Sequence, residues 1–393
     1  MKCFPILGIV CLFSIAPSVE AQPPVGPAFY GDPPDANHPW SVHDRNRPQP
    51  KRVVPGTFST PRTPGKPPSD AIVLFDGKDL SKWVSTKRKG GKNPWLLVDG
   101  AMQCKPGTGG LRSKEEFGDC QLHIEWAAPK KVKGDSQGRG NSGVFLMGKV
   151  EVQVLDNFEN PTYADGFAGS VYGINPPLAN ALHPPGQFQS YDMIFRRPIF
   201  KDGKEIDPGY VTVFCNGVLV QDHTVLEGPG GHKGRSKPRA FPEKGPIELQ
   251  DHGNTTAFRN IWIRPLPPRV VEGGTDGFLP ADVALTKRRE TAAAIRKDAG
   301  KMKGVQKMFR LMESLVYAED SDALHTATIQ AVGYSERIGK MNPKKLEAEK
   351  KEILEVRMAL RYMIKHQFLP QDFPPLTKVE KVAEDQGWNK KKK

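Results

Sequence analysis

Apolar and polar residues alternate with a period of two through the middle of the chain. The runs are short: AIVLF at 71–75, QLHIEWAA at 121–128, SGVFLMG at 142–148, VEVQVLD at 150–156, SYDMIF at 190–195 and IELQDH at 247–252, with others at 96–104, 210–225 and 258–266. Such a period puts successive side chains on opposite faces of a strand, so each run predicts a strand with one buried face. Asp76-Gly77, Asp99-Gly100, Asp202-Gly203 and Asn216-Gly217 separate the runs. Asn-Gly between two apolar runs, as in VTVFCNGVLV, predicts a type I′ hairpin. Many short strands with no long helix among them predict an all-β jelly-roll sandwich over residues 70–266. Two long irregular stretches, 157–189 and 226–245, interrupt it, and loops of that length in a compact domain usually carry function or move.

Beyond about residue 270 the apolar period lengthens to that of a helix. Met308, Leu311, Met312 and Leu315 form one stripe; Ile353, Val356, Leu360 and Ile364 form another. Asn342 followed by Pro343 reads as a cap and a first-turn proline, and Ser321-Asp322 as another start. These signals predict a smaller all-α helical bundle of three or four helices over 270–370, then a basic tail at 371–393. His325 and His366 fall at its surface or edge, and the methionines read as core. Residues 22–69 are dense in proline and lack aliphatic periodicity, which predicts an extended linker.

Composition adds a compartment and removes some partners. Residues 1–21 carry one lysine, a short apolar stretch and small residues around Ala21, the pattern of a secretory signal, so the protein is expected to be exported, periplasmic or extracellular. The chain has 393 residues and a formal net charge of +13. Its Lys and Arg residues are scattered, with no compact basic-aromatic motif, so the charge reads as a solvated surface and no nucleic-acid partner is expected. Three cysteines lie outside the signal, Cys104, Cys120 and Cys215, without zinc spacing. Cys120 and Cys215 beside strand-like runs read as core thiols, with a Cys104–Cys120 bridge as the alternative in an oxidising compartment.

Candidate chemistry follows from the strand faces. Val150, Val152 and Val154 share one face, leaving Glu151 and Gln153 on the other. Leu122, Ile124 and Trp126 oppose Gln121, His123 and Glu125, and Ile247 and Leu249 oppose Glu248, Gln250 and His252. A polar outer face is ordinary on a sheet that meets water. Glu-x-Gln and Glu-x-Gln-x-His, however, combine short reach with acid–base capacity. Were these strands neighbours in one sheet, they would make a polar floor suited to a sugar, with Trp95, Tyr172 and Phe188 as candidate platforms. In GRGNSGVFLMG, Gly138, Gly140 and Gly143 surround Asn141 and Ser142, where backbone can approach a ligand.

The ordered set VLFDGKDLSKWV, GNSGVFLMGKVEVQVLDN, SVYGINPP, VTVFCNGVLVQDH and GPIELQDHGNTTAFRNIWIRPL resembles the 3-keto-disaccharide hydrolase domain family over about residues 70–266. The resemblance implies a concanavalin A-like jelly roll of the lectin-glucanase type. It also implies an exported enzyme cleaving 3-keto-glycosides or 3-keto-disaccharides by α-proton abstraction, elimination and hydration. For that chemistry Glu151 and His252 are the candidate base and acid, and Asn141, Gln153, Asp156, Tyr172 and Gln250 the candidate substrate-binding residues. A divalent cation, held by Glu151, His252 and a further carboxylate, is one candidate for stabilising the enolate; Arg139 or Arg196 is the metal-free alternative. The alternative function is a non-catalytic, lectin-like carbohydrate-binding module of the cell envelope. The helical region lies outside the resemblance and is the expected place for an envelope or protein partner.

Overall fold

The computed structural model describes residues 26–87, 93–269 and 277–388, so the leader-like segment 1–21 and the terminal lysine run lie outside the described residues. The described residues form two compact units, one of residues 52–269 and one joining residues 26–51 to 277–388.

The first unit is a sandwich of two antiparallel sheets. The smaller runs in the order β2 (Trp83–Ser85), β5 (Leu111–Phe117), β14 (Gly245–Leu249), β7 (Ser142–Leu146) and β8 (Val150–Val154). The larger runs β13 (Val218–Val225), β12 (Tyr210–Cys215), β9 (Gln189–Arg196), β6 (Cys120–Ala127), β15 (Ala257–Pro265), β4 (Ala101–Gln103) and β3 (Leu96–Val98), with β1 (Ile72–Phe75) also paired to β15. A separate ribbon pairs β10 (Ile199–Lys201) with β11 (Lys204–Asp207). The apolar faces read from the sequence meet in one core. Val144, Leu146, Val150, Val152 and Val154 of the smaller sheet pack in the same cluster as Leu122, Ile124, Met193, Phe195 and Val213 of the larger. The buried Tyr191 hydroxyl donates across that core to the Gln153 carbonyl at 2.8 Å. The Asn216-Gly217 hairpin is present between β12 and β13, with Asn216 at φ 51° and Gly217 at φ 80°, the left-handed pair that a type I′ turn needs. Cys104, Cys120 and Cys215 are all buried and free, so the alternative Cys104–Cys120 bridge is absent.

Residues 52–69 differ from the expected linker. They form a hairpin over the larger sheet: Thr57 N–H donates to the Lys66 carbonyl at 3.0 Å, and the Arg259 guanidinium reaches the Thr60 and Arg62 carbonyls at 3.0 and 3.1 Å. Residues 26–51 pack on the helices of the other unit, where Arg45 and Asn46 bond the buried Glu313 carboxylate at 2.7 and 2.8 Å. Polar anchors fix the proline-rich chain where aliphatic periodicity is missing.

The second unit contains α1 (Ala281–Ala299), α2 (Gly304–Tyr317), α3 (Ser321–Gly339), α4 (Pro343–Ala348), α5 (Lys350–Lys365) and α6 (Pro374–Asp385). Both expected stripes are buried. The Asn342 side chain caps α4, accepting from Lys345 N–H at 3.0 Å, whereas α3 is capped by Asp320, one residue before the expected start. Helix α6 falls within the stretch read as a tail; Val379 and Ala383 bury its apolar side. No described helix is long and apolar enough to cross a membrane.

Candidate active site

Strand register assembles the site on the outer face of the smaller sheet. Glu248 lies opposite Phe145, Phe145 opposite Glu151, and Gly143 opposite Gln153. Directly opposed residues share a face, so Glu248, Phe145 and Glu151 point one way while Val144, Val152 and Leu249 enter the core. Residues 169–172 then run along the free edge of β8: Gln153 N–H donates to Ser170 O at 3.0 Å, and Tyr172 N–H to Glu151 O at 3.1 Å. This short addition brings Tyr172 beside Glu151. The turn after β14 is pinned by Asp251, whose carboxylate accepts from Gly109 and Gly253 N–H at 2.8 and 3.0 Å. His252, between those anchors, is left exposed at the cleft.

The resulting cleft has a volume of about 530 Å³ and is lined by Glu151, His252, Asn141, Gln153, Tyr172 and Gln250, together with the 229–232 turn of the long basic loop. Gly143 is required at its centre. A Cβ there would stand 2.2 Å from Glu151 Oε1 and 3.0 Å from a ring carbon of Phe145, so the Glu151 carboxyl occupies the space a side chain would take. Burial alone pushes the Glu151 carboxyl up to about 7, a value suited to taking and returning a proton at neutral pH. Tyr172 joins Tyr163 at 2.8 Å and His232 Nδ1 at 3.1 Å, a chain of hydroxyls and an imidazole along the rim. Burial and the Tyr163 contact raise the Tyr172 phenol, which keeps it an O–H donor. Gln250 Oε1 is buried without a partner among the described residues and lines the cleft, an acceptor left for a ligand hydroxyl.

Two of the expected binding residues are more engaged with protein than expected. Asn141 Nδ2 donates to the Gln137 carbonyl at 2.8 Å, and Gln153 Nε2 to Gln137 Oε1 at 3.0 Å, so both fix Gln137 at the cleft wall. Asp156 lies outside the cleft. It is 3% exposed, accepts from Arg139 Nε at 2.7 Å and from Phe158 N–H at 3.2 Å, and closes the loop after β8. That pairing removes Arg139 as an enolate stabiliser, and Arg196 is held by Asp119 at 3.1 Å away from the cleft lining. Among the described residues no group of three His, Cys, Asp or Glu is arranged to hold a metal ion, so Glu151 and His252 lack the further carboxylate a cation site would use.

The shared floor expected from three strands is divided between two sheets. β6 is hydrogen-bonded between β9 and β15, so His123 and Glu125 lie on the outer face of the larger sheet. Of the expected platforms, only Tyr172 lines the cleft. Trp95 is a core residue whose indole donates to Gly109 O, and Phe188 belongs to the opposite side. Residues the sequence reading passed over include Gln137, Phe145, Lys149, Tyr163, His232 and Arg239. Phe145 was legible as the cross-strand neighbour of Glu151, and His232 as part of the basic insertion.

The fold and cleft thus define a two-sheet jelly roll with an acid–base cleft on the outer face of one sheet. Residues 70–264 match, and the chain belongs to, the 3-keto-alpha-glucoside-1,2-lyase-like domain family. The chain is similar to a 3-keto-disaccharide hydrolase of Bacteroides thetaiotaomicron, at 23% identity over 238 residues that cover 50% of this chain and 78% of the relative. It is also similar to a solved protein of Parabacteroides distasonis ATCC 8503 named a "putative glycosyl hydrolase", at 46% identity and a TM-score of 0.53, over 56% of this chain and 93% of that one. The family match leaves the helical unit outside it.

Proposed function

We propose that the sandwich unit is an exported enzyme that cleaves glycosides whose sugar carries a ketone at carbon 3. The single observation that carries this reading is a carboxyl raised to about 7, Glu151, in one cleft with His252, Tyr172 and an unpartnered amide oxygen. A 3-ketone makes the carbon 2 proton acidic enough for a carboxylate of that basicity. Glu151 removes it, and the electron pair passes to the ketone oxygen as an enolate, which the Tyr172 hydroxyl is suited to stabilise. The enolate collapses to restore the ketone and form the carbon 1–carbon 2 double bond. The carbon 1 substituent leaves with the bonding pair and takes a proton from His252. Water then adds: its hydroxyl goes to carbon 1, its proton is taken by His252, and Glu151, whose proton has exchanged with solvent in the open cleft, protonates carbon 2. Family membership supports the substrate class, and Asn141 and Gln250 supply amides to orient the ring, while Gln137, bonded at both ends of its amide, holds the wall.

The test is turnover of a 3-keto-disaccharide and of its unoxidised parent. Cleavage of the oxidised sugar alone, lost by at least a thousandfold in Glu151→Gln, is the expected result. Equal turnover by that variant removes Glu151 from the mechanism, and saturable binding of the parent sugar without product from either sugar favours a lectin.

A further inference from the structure

The larger sheet carries a second hollow on its own outer face. Register builds it: in β9, β6 and β15 the residues Asp192, His123 and Trp262 are cross-strand partners, and so in the next row are Ser190, Glu125 and Arg259. Between those rows β15 bulges, and Asn260 takes the left-handed conformation at φ 46°, an arrangement that costs energy and here aims its amide at Glu125, 2.7 Å away. The 57–66 hairpin arches over the row. Ser59 Oγ donates to Glu125 Oε1 at 2.6 Å, and Gly65 sits so close to the opposite limb that a Cβ would stand 2.1 Å from Thr57 O. The hairpin is therefore fixed, and between it and the sheet remains a space of about 460 Å³, within the size range of small-molecule sites.

Its chemistry is that of a paired cluster of charges on the sheet, with Lys66 on the hairpin facing the same space. His123 Nδ1 lies 2.7 Å from Asp192, and its Nε2 is 3.5 Å from Glu125, which also accepts from Arg259 Nε at 2.7 Å. Burial opposes the imidazolium, but the two carboxylates outweigh it and raise His123 to about 9. Two cations thus balance two anions. Both imidazole nitrogens face carboxylates, so the cluster holds its shape and offers no imidazole for proton transfer. The Asp192 side chain remains 41% exposed. Aromatic walls complete the hollow: Phe188, backed by the Arg259 guanidinium at 3.8 Å, Phe214, and Phe58 on the hairpin, which is fully exposed.

We propose that this hollow is a second saccharide site, distinct from the cleft, that takes a neutral oligosaccharide. Aromatic faces match the C–H faces of a pyranose, and the Asp192 carboxylate with the Ser190 hydroxyl matches its equatorial hydroxyls. The charges on the sheet pair with one another, and beyond Lys66 no Lys or Arg is among the lining residues, which suits a neutral glycan better than a polyanionic one. The site does not depend on the reaction assigned to the cleft.

Calorimetric titration of the full chain tests this, with maltohexaose, cellohexaose and xylohexaose as neutral probes and trigalacturonate as the anionic one. The expected result is saturable binding of at least one neutral probe, weakened at least tenfold by Phe58→Ala and at least fivefold by Asp192→Asn, and unchanged by Glu151→Gln. Phe58 is fully exposed, so its removal leaves folding intact. Failure of all three neutral probes, tighter binding of trigalacturonate, full binding by Phe58→Ala, or loss of binding in Glu151→Gln would each overturn the proposal.

Discussion

At the scale of single residues, one carboxyl governs the account. Glu151 is charged with difficulty because burial strips water from its carboxyl, and that is the cause of its shift to about 7. An ordinary glutamate titrates near 4.5. Between pH 4.5 and 7 the unfolded chain therefore releases a proton that the folded chain keeps, so this residue lowers stability as pH rises across that window and the loss is complete above it. Glu151→Gln is expected to stabilise the sandwich at pH 8, by on the order of 1–3 kcal/mol, and to change it little at pH 4. Denaturant titration at the two values measures the difference. The activity should move the opposite way in the unaltered protein: on its acid limb kcat/KM rises with pH through an apparent pKa near 7, because the base must be ionised.

At the scale of elements, the site depends on how three strands and one loop are laid side by side. Gly143 in β7 gives the Glu151 carboxyl its room across the strand pair. Gly143→Ala is expected to push that carboxyl aside rather than unfold the sheet, because alanine suits a strand backbone better than glycine and the displaced atoms end a flexible side chain. The expected result is a loss of about 10–100-fold in kcat/KM with a change in stability under about 1 kcal/mol; parallel kinetics and denaturant unfolding read both. The period-two pattern made β6, β7, β8, β9, β12 and β14 legible, and with them which side chains face the core. What alternation cannot convey is the neighbour of each strand. QLHIEWAA and VEVQVLD carry the same signature, yet hydrogen bonding places them in different sheets. Asp156 failed for a related reason: one residue past the end of β8 the chain turns, and Arg139 claims the carboxylate.

At the scale of the whole molecule, the chain divides into two units with unlike sources of stability. The sandwich relies on one large apolar core, and its membership in a sugar-modifying family concerns that unit. The helical unit adds a buried polar cluster that periodicity could not foretell, because its parts come from a proline-rich segment and a helix far apart in sequence. Glu313 lies between Arg310 at 2.6 Å and Arg45 at 2.7 Å; burial opposes its charge, and the two guanidiniums hold its carboxyl below the usual range nonetheless. Glu313→Ala leaves the buried Arg310, still paired with Asp298, facing the half-buried Arg45 and is expected to cost the helical unit about 3 kcal/mol. Thermal unfolding followed by circular dichroism should show the helical transition fall while turnover by the sandwich is unchanged.

The most direct test of the central claim is deuterium uptake at carbon 2 of the sugar when a 3-keto-disaccharide is cleaved in heavy water. Proton abstraction followed by elimination and hydration predicts a product carrying deuterium at that carbon, and neither cleavage nor uptake with Glu151→Gln. Cleavage that leaves carbon 2 fully protonated would contradict the account, because the glycosidic bond would then break without any bond to that hydrogen being touched.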